Sequence, residues 1–349
     1  MESTLPYGWY TDPEILRREQ ERIFRSAWQY VGHTGELETP GYFAARAGRT
    51  PVVVTRARDG VLRAFLNVCR HRGHEVAAGA GRRETLQCPY HAWTYGLDGC
   101  LRAAPRSEEE PHFPQDELGL VPLAVGTWGP FLFVNAGREP EPLADALGSL
   151  PAQVAELGLD VDALVHHSRW ETEVEANWKI VCENFLECYH CQVAHPGFSQ
   201  AIDVSVEAYA LGADGRLATQ HGPVREGGGA GLDLTGALPR SQFHFLWPNL
   251  TVNILPGHPN MSIGPVVPRT PERTHRFLDY FFGPGVEQAW IDDLLAFDDQ
   301  VGREDRALVE GVQRGLGAGV LERGVLMGRS ERLIGHFQAL TAAALADEF

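Results

Sequence analysis

Positive charge is scarce in this chain: 30 lysines and arginines stand against 46 acids over 349 residues, a formal net charge of −16. No basic stretch provides the electrostatic footprint needed to track phosphates, so nucleic-acid binding is excluded from the expected roles. The acid surplus reads as a solvated surface, with a positively charged redox partner as the alternative. Apolar runs of membrane-spanning length are missing. The first residues, Met1 to Pro6, lack the basic start and apolar run of a signal peptide, and a soluble cytoplasmic protein is expected. Cysteine is sparse as well. Of the six, two belong to a Cys/His motif and the other four are not placed like a disulfide framework, which favours a reducing compartment. No nucleotide or flavin motif and no internal repeat is visible. The glycine run Gly227–Gly231 lacks the preceding strand and following helix of a phosphate-cradling loop and reads as a mobile loop.

Against these absences stands one strong motif. Cys69-Arg-His71 is followed, after sixteen residues, by Cys88-Pro-Tyr-His91. Two thiolates and two imidazoles, one of each per loop, suit a Rieske [2Fe–2S] cluster, in which one iron keeps two cysteines and the other takes two histidines. Zinc uses the same four side chains in a Cys2His2 tetrahedron. The spacing argues against it, because zinc fingers bring Cys-Cys and His-His pairs from separate turns.

Length predicts two domains, and an apolar content of 44% provides ample core. Thr11–Trp28 has near-helical spacing of Ile15, Ile23, Phe24 and Trp28, with Asp12 as N-cap and Pro13 at the first helical position. Short β-rich runs follow, among them Thr50–Thr55, Leu62–Leu66 and Phe131–Val134. A composition shift at Glu139-Pro-Glu-Pro142 precedes a helical run from Leu143 to Leu157. The expected division is 1–30 as a helical segment packing on the catalytic domain, 31–145 as the cluster domain and 146–349 as the catalytic domain. In the last, a helix is expected from Asn177 to about Ala194, then strands, then helices at 290–316 and 330–346.

A second constellation lies at His190 and His195. Two histidines with a carboxylate from elsewhere make the 2-His-1-carboxylate triad that holds Fe(II) and leaves positions open. On an undisturbed helix, residues five apart point about 140° from each other, so a shared metal requires local unwinding. Pro196 disfavours helical geometry at His195 and supplies the cause. Read without other context, the pair would be two core histidines, as most isolated pairs with this spacing are. Glu187, three residues before His190, would share its helix face. Asn184, six before it, is a candidate for the open side of the metal.

The flanks Asn67-Val-Cys-Arg-His-Arg-Gly73 and Cys88-Pro-Tyr-His-Ala-Trp-Thr-Tyr95, with Asn177-Trp-Lys and Glu183-Asn-Phe-Leu-Glu-Cys-Tyr-His190 to His195-Pro196, resemble the Rieske non-haem iron oxygenases, specifically their oxygenase (alpha) component. Ala92 departs from the glycine usual there, and His74 from a small residue. The resemblance implies an α+β fold: an N-terminal Rieske β-sandwich and a C-terminal catalytic domain whose antiparallel sheet is flanked by helices in a helix-grip arrangement. It also implies two cofactors, a [2Fe–2S] cluster on Cys69, His71, Cys88 and His91 and a mononuclear Fe(II) on His190, His195 and a later acid. The segment Arg303–Gly315 resembles the source of that acid and favours Asp305, with Glu304 and Asp299 as alternatives. By resemblance Glu187 links His190 to His91 of a neighbouring subunit, so a homotrimer is implied. Glu in a Glu-Cys-Tyr-His-Cys context resembles the branch acting on quaternary ammonium compounds such as glycine betaine, carnitine and stachydrine. The implied function is a terminal oxygenase that uses O2 and electrons from a separate NAD(P)H-dependent flavin and iron–sulfur reductase, or a ferredoxin, to hydroxylate or N-demethylate a small organic substrate. The alternatives are an aromatic ring-hydroxylating dioxygenase and, from another class, a Rieske-type electron carrier. Phe185, Tyr209, Phe243, Phe245 and Trp247 are aromatic candidates around a cation, but nothing in their spacing gives any of them a site role.

Overall fold

Residues 2–227 and 231–346 are described by the structure, a computed structural model. The expected glycine-rich loop falls across residues 228–230, outside the described residues. The chain divides into two compact units, one of residues 24–143 and one of residues 1–23 with 144–349.

The larger unit opens with β1 (Glu2–Ser3) and α1 (Pro13–Glu19). Asp12 caps α1 by accepting from the Glu14 N–H at 2.8 Å. The helix expected through Trp28 stops early: after α1 the chain widens into a π turn over Gln20–Phe24.

The smaller unit is all β. Strands β2 (Gln29–His33), β3 (Gly41–Ala47), β4 (Thr50–Arg56), β5 (Leu62–Leu66), β6 (Ala80–Gly81), β10 (Pro122–Trp128) and β11 (Phe131–Asn135) form a sheet of order β2-β11-β10-β5-β4-β3-β6. A second, three-stranded sheet holds β7 (Thr85–Gln87), β8 (Thr94–Gly96) and β9 (Leu101–Ala103). Val52, Val53 and Val54 are fully buried in the middle of β4, as expected of a central strand that carries apolar residues on both faces.

After α2 (Leu143–Leu147) and α3 (Leu150–Glu156), the larger unit builds a seven-stranded antiparallel sheet. Its strands are β12 (Val165–Val174), β13 (Ala210–Asp214), β14 (Leu217–Pro223), β15 (Arg240–Leu246), β16 (Leu250–Ile254), β17 (Asn260–Thr270) and β18 (Arg273–Phe282), in the order β12-β18-β17-β16-β15-β14-β13. Gly264 of β17 has no alternative, since a Cβ there would lie 1.8 Å from the Phe277 carbonyl oxygen. Three short helices carry the site, α4 (Trp178–Phe185), α5 (Cys191–Ala194) and α6 (Pro196–Ala201). The 30-residue α7 (Gln288–Gly317) packs beside α4, and after β19 (Val325–Leu326), α8 (Arg332–Leu345) ends the described chain.

The single helix expected over 177–194 is thus broken. Asn177 caps α4 by accepting from the Lys179 N–H at 3.0 Å. The helix ends at Phe185, because the Glu187 carboxylate then accepts the N–H groups of Tyr189 and His190 and competes with the helical ladder. That turn brings the Cα atoms of Cys188 and Cys191 to 5.0 Å, and the two form a disulfide. The four remaining cysteines are free thiols, so the expectation of no cysteine pairing is corrected at this one turn.

Beneath the site, buried polar groups hold α1 and α4 together. Lys179 Nζ lies 2.5 Å from Glu19 Oε1, both side chains fully buried, and the Trp178 indole N–H donates to Glu19 Oε2 at 2.7 Å. Tyr10 donates to Glu183 at 2.7 Å, and Gln338 of α8 donates to the same oxygen at 2.9 Å.

Candidate metal centres

In the smaller unit, the loop after β5 and the loop between β7 and β8 carry the Cys/His motif. The buried Asn67 side chain staples the first: it accepts from Val76 and Ala77 N–H groups at 3.0 and 2.9 Å and donates to the Ala77 carbonyl at 2.8 Å. Each loop is closed by the same pair of hydrogen bonds. Cys69 N–H donates to the His74 carbonyl at 2.8 Å and Gly73 N–H to the Cys69 carbonyl at 3.1 Å; Cys88 N–H donates to the Trp93 carbonyl at 2.8 Å and Ala92 N–H to the Cys88 carbonyl at 3.0 Å.

The four expected ligands come together on this frame. Cys69 and Cys88 are buried. The rings of His71 and His91 lie 4.6 Å apart at 74°, and His71 stacks on Trp93 at 5.0 Å. The Tyr95 hydroxyl accepts the Arg70 N–H at 3.0 Å, which leaves its proton for Cys69 Sγ at 3.3 Å. Burial pushes the Cys88 thiol up, while the Tyr90 and His91 backbone N–H groups pull it down. His91 Nδ1 is buried and has no hydrogen-bond partner. Buried polar atoms ordinarily find partners, so an orphaned imidazole nitrogen near buried thiols fits a cluster ligand. The residues fit a [2Fe–2S] cluster.

In the larger unit, His190 lies in the turn before α5. His195, with φ −121° and ψ 72°, lies between α5 and α6, in the non-helical geometry that a following proline favours. Asp305 reaches both from α7. Its Oδ1 is 2.9 Å from His195 Nε2 and 3.4 Å from His190 Nε2, and the two Nε2 atoms are 3.1 Å apart. Nitrogen lone pairs and a carboxylate converging on one point form a ready-made cation site, and one ligand atom from each residue lies within 4.8 Å of the others. Two imidazole nitrogens and one carboxylate oxygen on one side suit a divalent iron.

Of the alternative acids, Glu304 accepts from His195 Nδ1 at 2.8 Å, on the outer side of the ring, and Asp299 pairs with Arg303. Glu187 contacts His190 Nδ1. It does so from the turn, not from the shared helix face that its spacing predicted. Each histidine therefore has a carboxylate behind it, the arrangement that fixes ring orientation and raises ligand basicity. The Asn184 amide N–H group lies 3.3 Å from His190 Nε2 and 3.1 Å from Asp305 Oδ1, at the convergence point itself. Burial opposes charge on His190, but Asp305 and Glu187 outweigh it and raise its pKa to about 9. Asp305 is held well below the usual carboxylate range by both imidazoles, against the effect of burial.

A cavity of about 110 Å³ opens beside the triad. Phe185, Tyr209 and Phe243, which had no role on sequence grounds, line it together with Trp170, Phe198 and Phe297, which sequence reasoning missed. Phe245 and Trp247 do not line it: Phe245 packs between Phe185 and Phe337, and the Trp247 indole N–H is 3.4 Å from Thr341 Oγ1. Arg276, Tyr280 and Asp298 also line the cavity without having been anticipated. Strand alternation could have flagged Arg276, a cation among the inward positions Thr274, Leu278 and Tyr280 of β18.

Residues 161–347 match the family model described as ring hydroxylating alpha subunit (catalytic domain), and residues 27–115 match the Rieske [2Fe-2S] domain. This chain belongs to the Rieske oxygenase alpha-subunit family. It is 34% identical to the carnitine monooxygenase oxygenase subunit of Acinetobacter baumannii, over 97% of this chain and 94% of that one. It is also 34% identical to the chloroplastic choline monooxygenase of Arabidopsis thaliana, over 92% of this chain and 78% of the relative. A crystal structure of a quaternary ammonium Rieske monooxygenase in complex with L-carnitine superposes with a TM-score of 0.86 at 32% identity, covering 99% of this chain and 96% of the other. Naphthalene 1,2-dioxygenase from Rhodococcus shares the fold at 19% identity and a TM-score of 0.82. The Rieske oxygenase alpha-subunit fold is thus a β cluster domain joined to an antiparallel sheet with helices. Its family implies a [2Fe–2S] cluster, a mononuclear iron, a reductase partner and a small substrate. Among the described residues, no helix of this oxygenase is long and apolar enough to cross a membrane.

Proposed function

We propose that this Rieske oxygenase is a monooxygenase acting on small quaternary ammonium compounds, with Cys69, His71, Cys88 and His91 holding its cluster and His190, His195 and Asp305 its iron. The observation that carries the substrate class is the composition of the cavity beside the triad. Aromatic walls from Trp170, Phe185, Phe198, Phe243 and Phe297 meet the carboxylates of Glu187, Asp298 and Asp299. Rings attract a cation that cannot donate hydrogen bonds, and acids raise the local negative potential. The carnitine and choline monooxygenases among the relatives support the same class.

When bound, the iron and cluster supply dioxygen activation and electrons from the separate reductase. The protein's own work is positional. Glu187 and Glu304 hold the Nδ1 atoms of His190 and His195, so each Nε2 faces the metal. The Asn184 amide, beside His190 Nε2 and Asp305 Oδ1, would hydrogen-bond a ligand on the metal. The apolar walls exclude water from the reacting substrate. We further infer that the chain works as a homotrimer, with Glu187 joining His190 to His91 of a neighbouring subunit. What supports the link on this side is that the carboxylate already contacts His190, in the turn that also carries the exposed Tyr189.

The test is single turnover: enzyme reduced by dithionite is mixed with O2 and either γ-butyrobetaine, choline or naphthalene. Oxidised product from a quaternary ammonium compound and none from naphthalene is expected; the reverse overturns the reading.

A further inference from the structure

Every acid in the cavity is engaged. Asp305 faces the two imidazoles, Glu187 contacts His190, Asp298 accepts from Tyr280 and Asp299 pairs with Arg303. Arg303 and Arg306, which line the adjoining cavity of about 160 Å³, pair with Asp299 and with Glu310. Arg276 differs. It lines both cavities, and among the described residues no hydrogen bond or ion pair reaches its guanidinium. Its Nε is buried with no partner.

Strand register explains how the charge comes to be there. Arg276 stands opposite Thr172 of β12 and Val266 of β17, with the neighbouring inward pairs Val174–Thr274 and Trp170–Leu278. All of these neighbours are uncharged. Asp298, the acid on this cavity that feels the Arg276 charge, is taken by the Tyr280 hydroxyl, and a guanidinium lining a cavity with no hydrogen bond or ion pair of its own is costly. Its planar donors match one chemistry in particular, a carboxylate held by two parallel hydrogen bonds.

The same cavity therefore offers aromatic faces and surplus acid to a cation and one unpartnered guanidinium to an anion. We propose that Arg276 binds the carboxylate of a zwitterionic substrate, so that this oxygenase selects quaternary ammonium carboxylates over quaternary ammonium alcohols. The inference rests on the quaternary ammonium reading and narrows it to betaines.

Three probes separate the two. γ-Butyrobetaine carries both charges, choline only the cation, and 5,5-dimethylhexanoate, the neutral-carbon isostere of γ-butyrobetaine, only the carboxylate. Dissociation constants are measured anaerobically by calorimetry on the metal-loaded enzyme, for wild type and for Arg276→Met, Arg276→Gln and Arg276→Lys. Loss of a charge-assisted pair predicts that Met and Gln weaken γ-butyrobetaine and 5,5-dimethylhexanoate by about 10- to 100-fold and leave choline within about twofold, with Lys recovering part of the loss. A change of equal size for all three probes, or no change for either carboxylate, overturns the role of Arg276 while leaving the quaternary ammonium reading in place. If neither quaternary compound binds wild type, that reading fails and the selection for betaines fails with it; binding of 5,5-dimethylhexanoate alone identifies this case.

Discussion

Gly73 and Ala92 hold the same place in the two cluster loops. Each is four residues after the loop's cysteine, each donates its N–H to that cysteine's carbonyl, and each has a left-handed backbone, at φ 76° and 57°. Glycine adopts this conformation freely, while alanine pays for its Cβ. Replacing Ala92 by glycine is therefore expected to stabilise the loop by about 1 kcal/mol. The midpoint for loss of cluster absorbance in urea, read against wild type, checks it: an unchanged or lower midpoint contradicts the strain.

The buried pair of Glu19 and Lys179 supports α4 from below. Burial lowers the Lys179 pKa, and Glu19 opposes that effect. Glu19→Gln leaves an uncompensated buried ammonium and should cost about 3–5 kcal/mol, whereas Glu19→Met with Lys179→Met should recover most of it. Urea unfolding followed by tryptophan fluorescence measures both variants.

Glu183 makes stability depend on pH. Burial raises its pKa to about 7, against the hydrogen bonds from Tyr10 and Gln338 and the charge of Lys179. The folded protein thus binds the Glu183 proton more tightly than the unfolded chain does. At and below about pH 4.5 both states are protonated and nothing is lost; as pH rises to about 7 the folded state loses up to about 3 kcal/mol relative to the unfolded one. In Glu183→Gln this loss should vanish. Denaturation midpoints at pH 5 and pH 7.5 should converge for the variant and remain apart for wild type.

Behind the iron ligand, Glu187 is expected to orient His190 from its Nδ1 side. Glu187→Ala should lower iron affinity by about 10- to 100-fold with the cluster retained. Glu187→Gln, which keeps an acceptor for the Tyr189 and His190 N–H groups, should retain more iron. Iron content after dialysis against a chelator distinguishes the two.

What the sequence revealed follows distance along the chain. The cluster loops were legible because each pairs its Cys and His within four residues, and the short β-rich runs around them are punctuated by glycine and proline. Pro196 announced the irregular backbone at His195. The break after Phe185 was not legible: no glycine or proline marks it, and its cause is the Glu187 carboxylate capping two N–H groups, a contact that propensity does not encode. Asp305 lies 110 residues from His195, and only family resemblance separated it from Glu304 and Asp299. Trp170 was invisible as a wall residue because its facing depends on the β12–β18 register, which shifts between His166 and Ser168, whereas alternation along β18 alone could have flagged Arg276.

On the proposed reading, one chain holds two separate metal sites, a cluster on Cys69, His71, Cys88 and His91 and an iron on His190, His195 and Asp305. Iron and acid-labile sulfide analysis with anaerobic EPR after dithionite reduction, on wild type, His190→Ala and Cys69→Ala, tests it most directly. Wild type is expected to show a Rieske signal, with two cluster irons and one further iron per chain. His190→Ala should lose only the single iron, and Cys69→Ala should lose the signal. Zinc in place of iron, or iron content unaltered in His190→Ala, would contradict it.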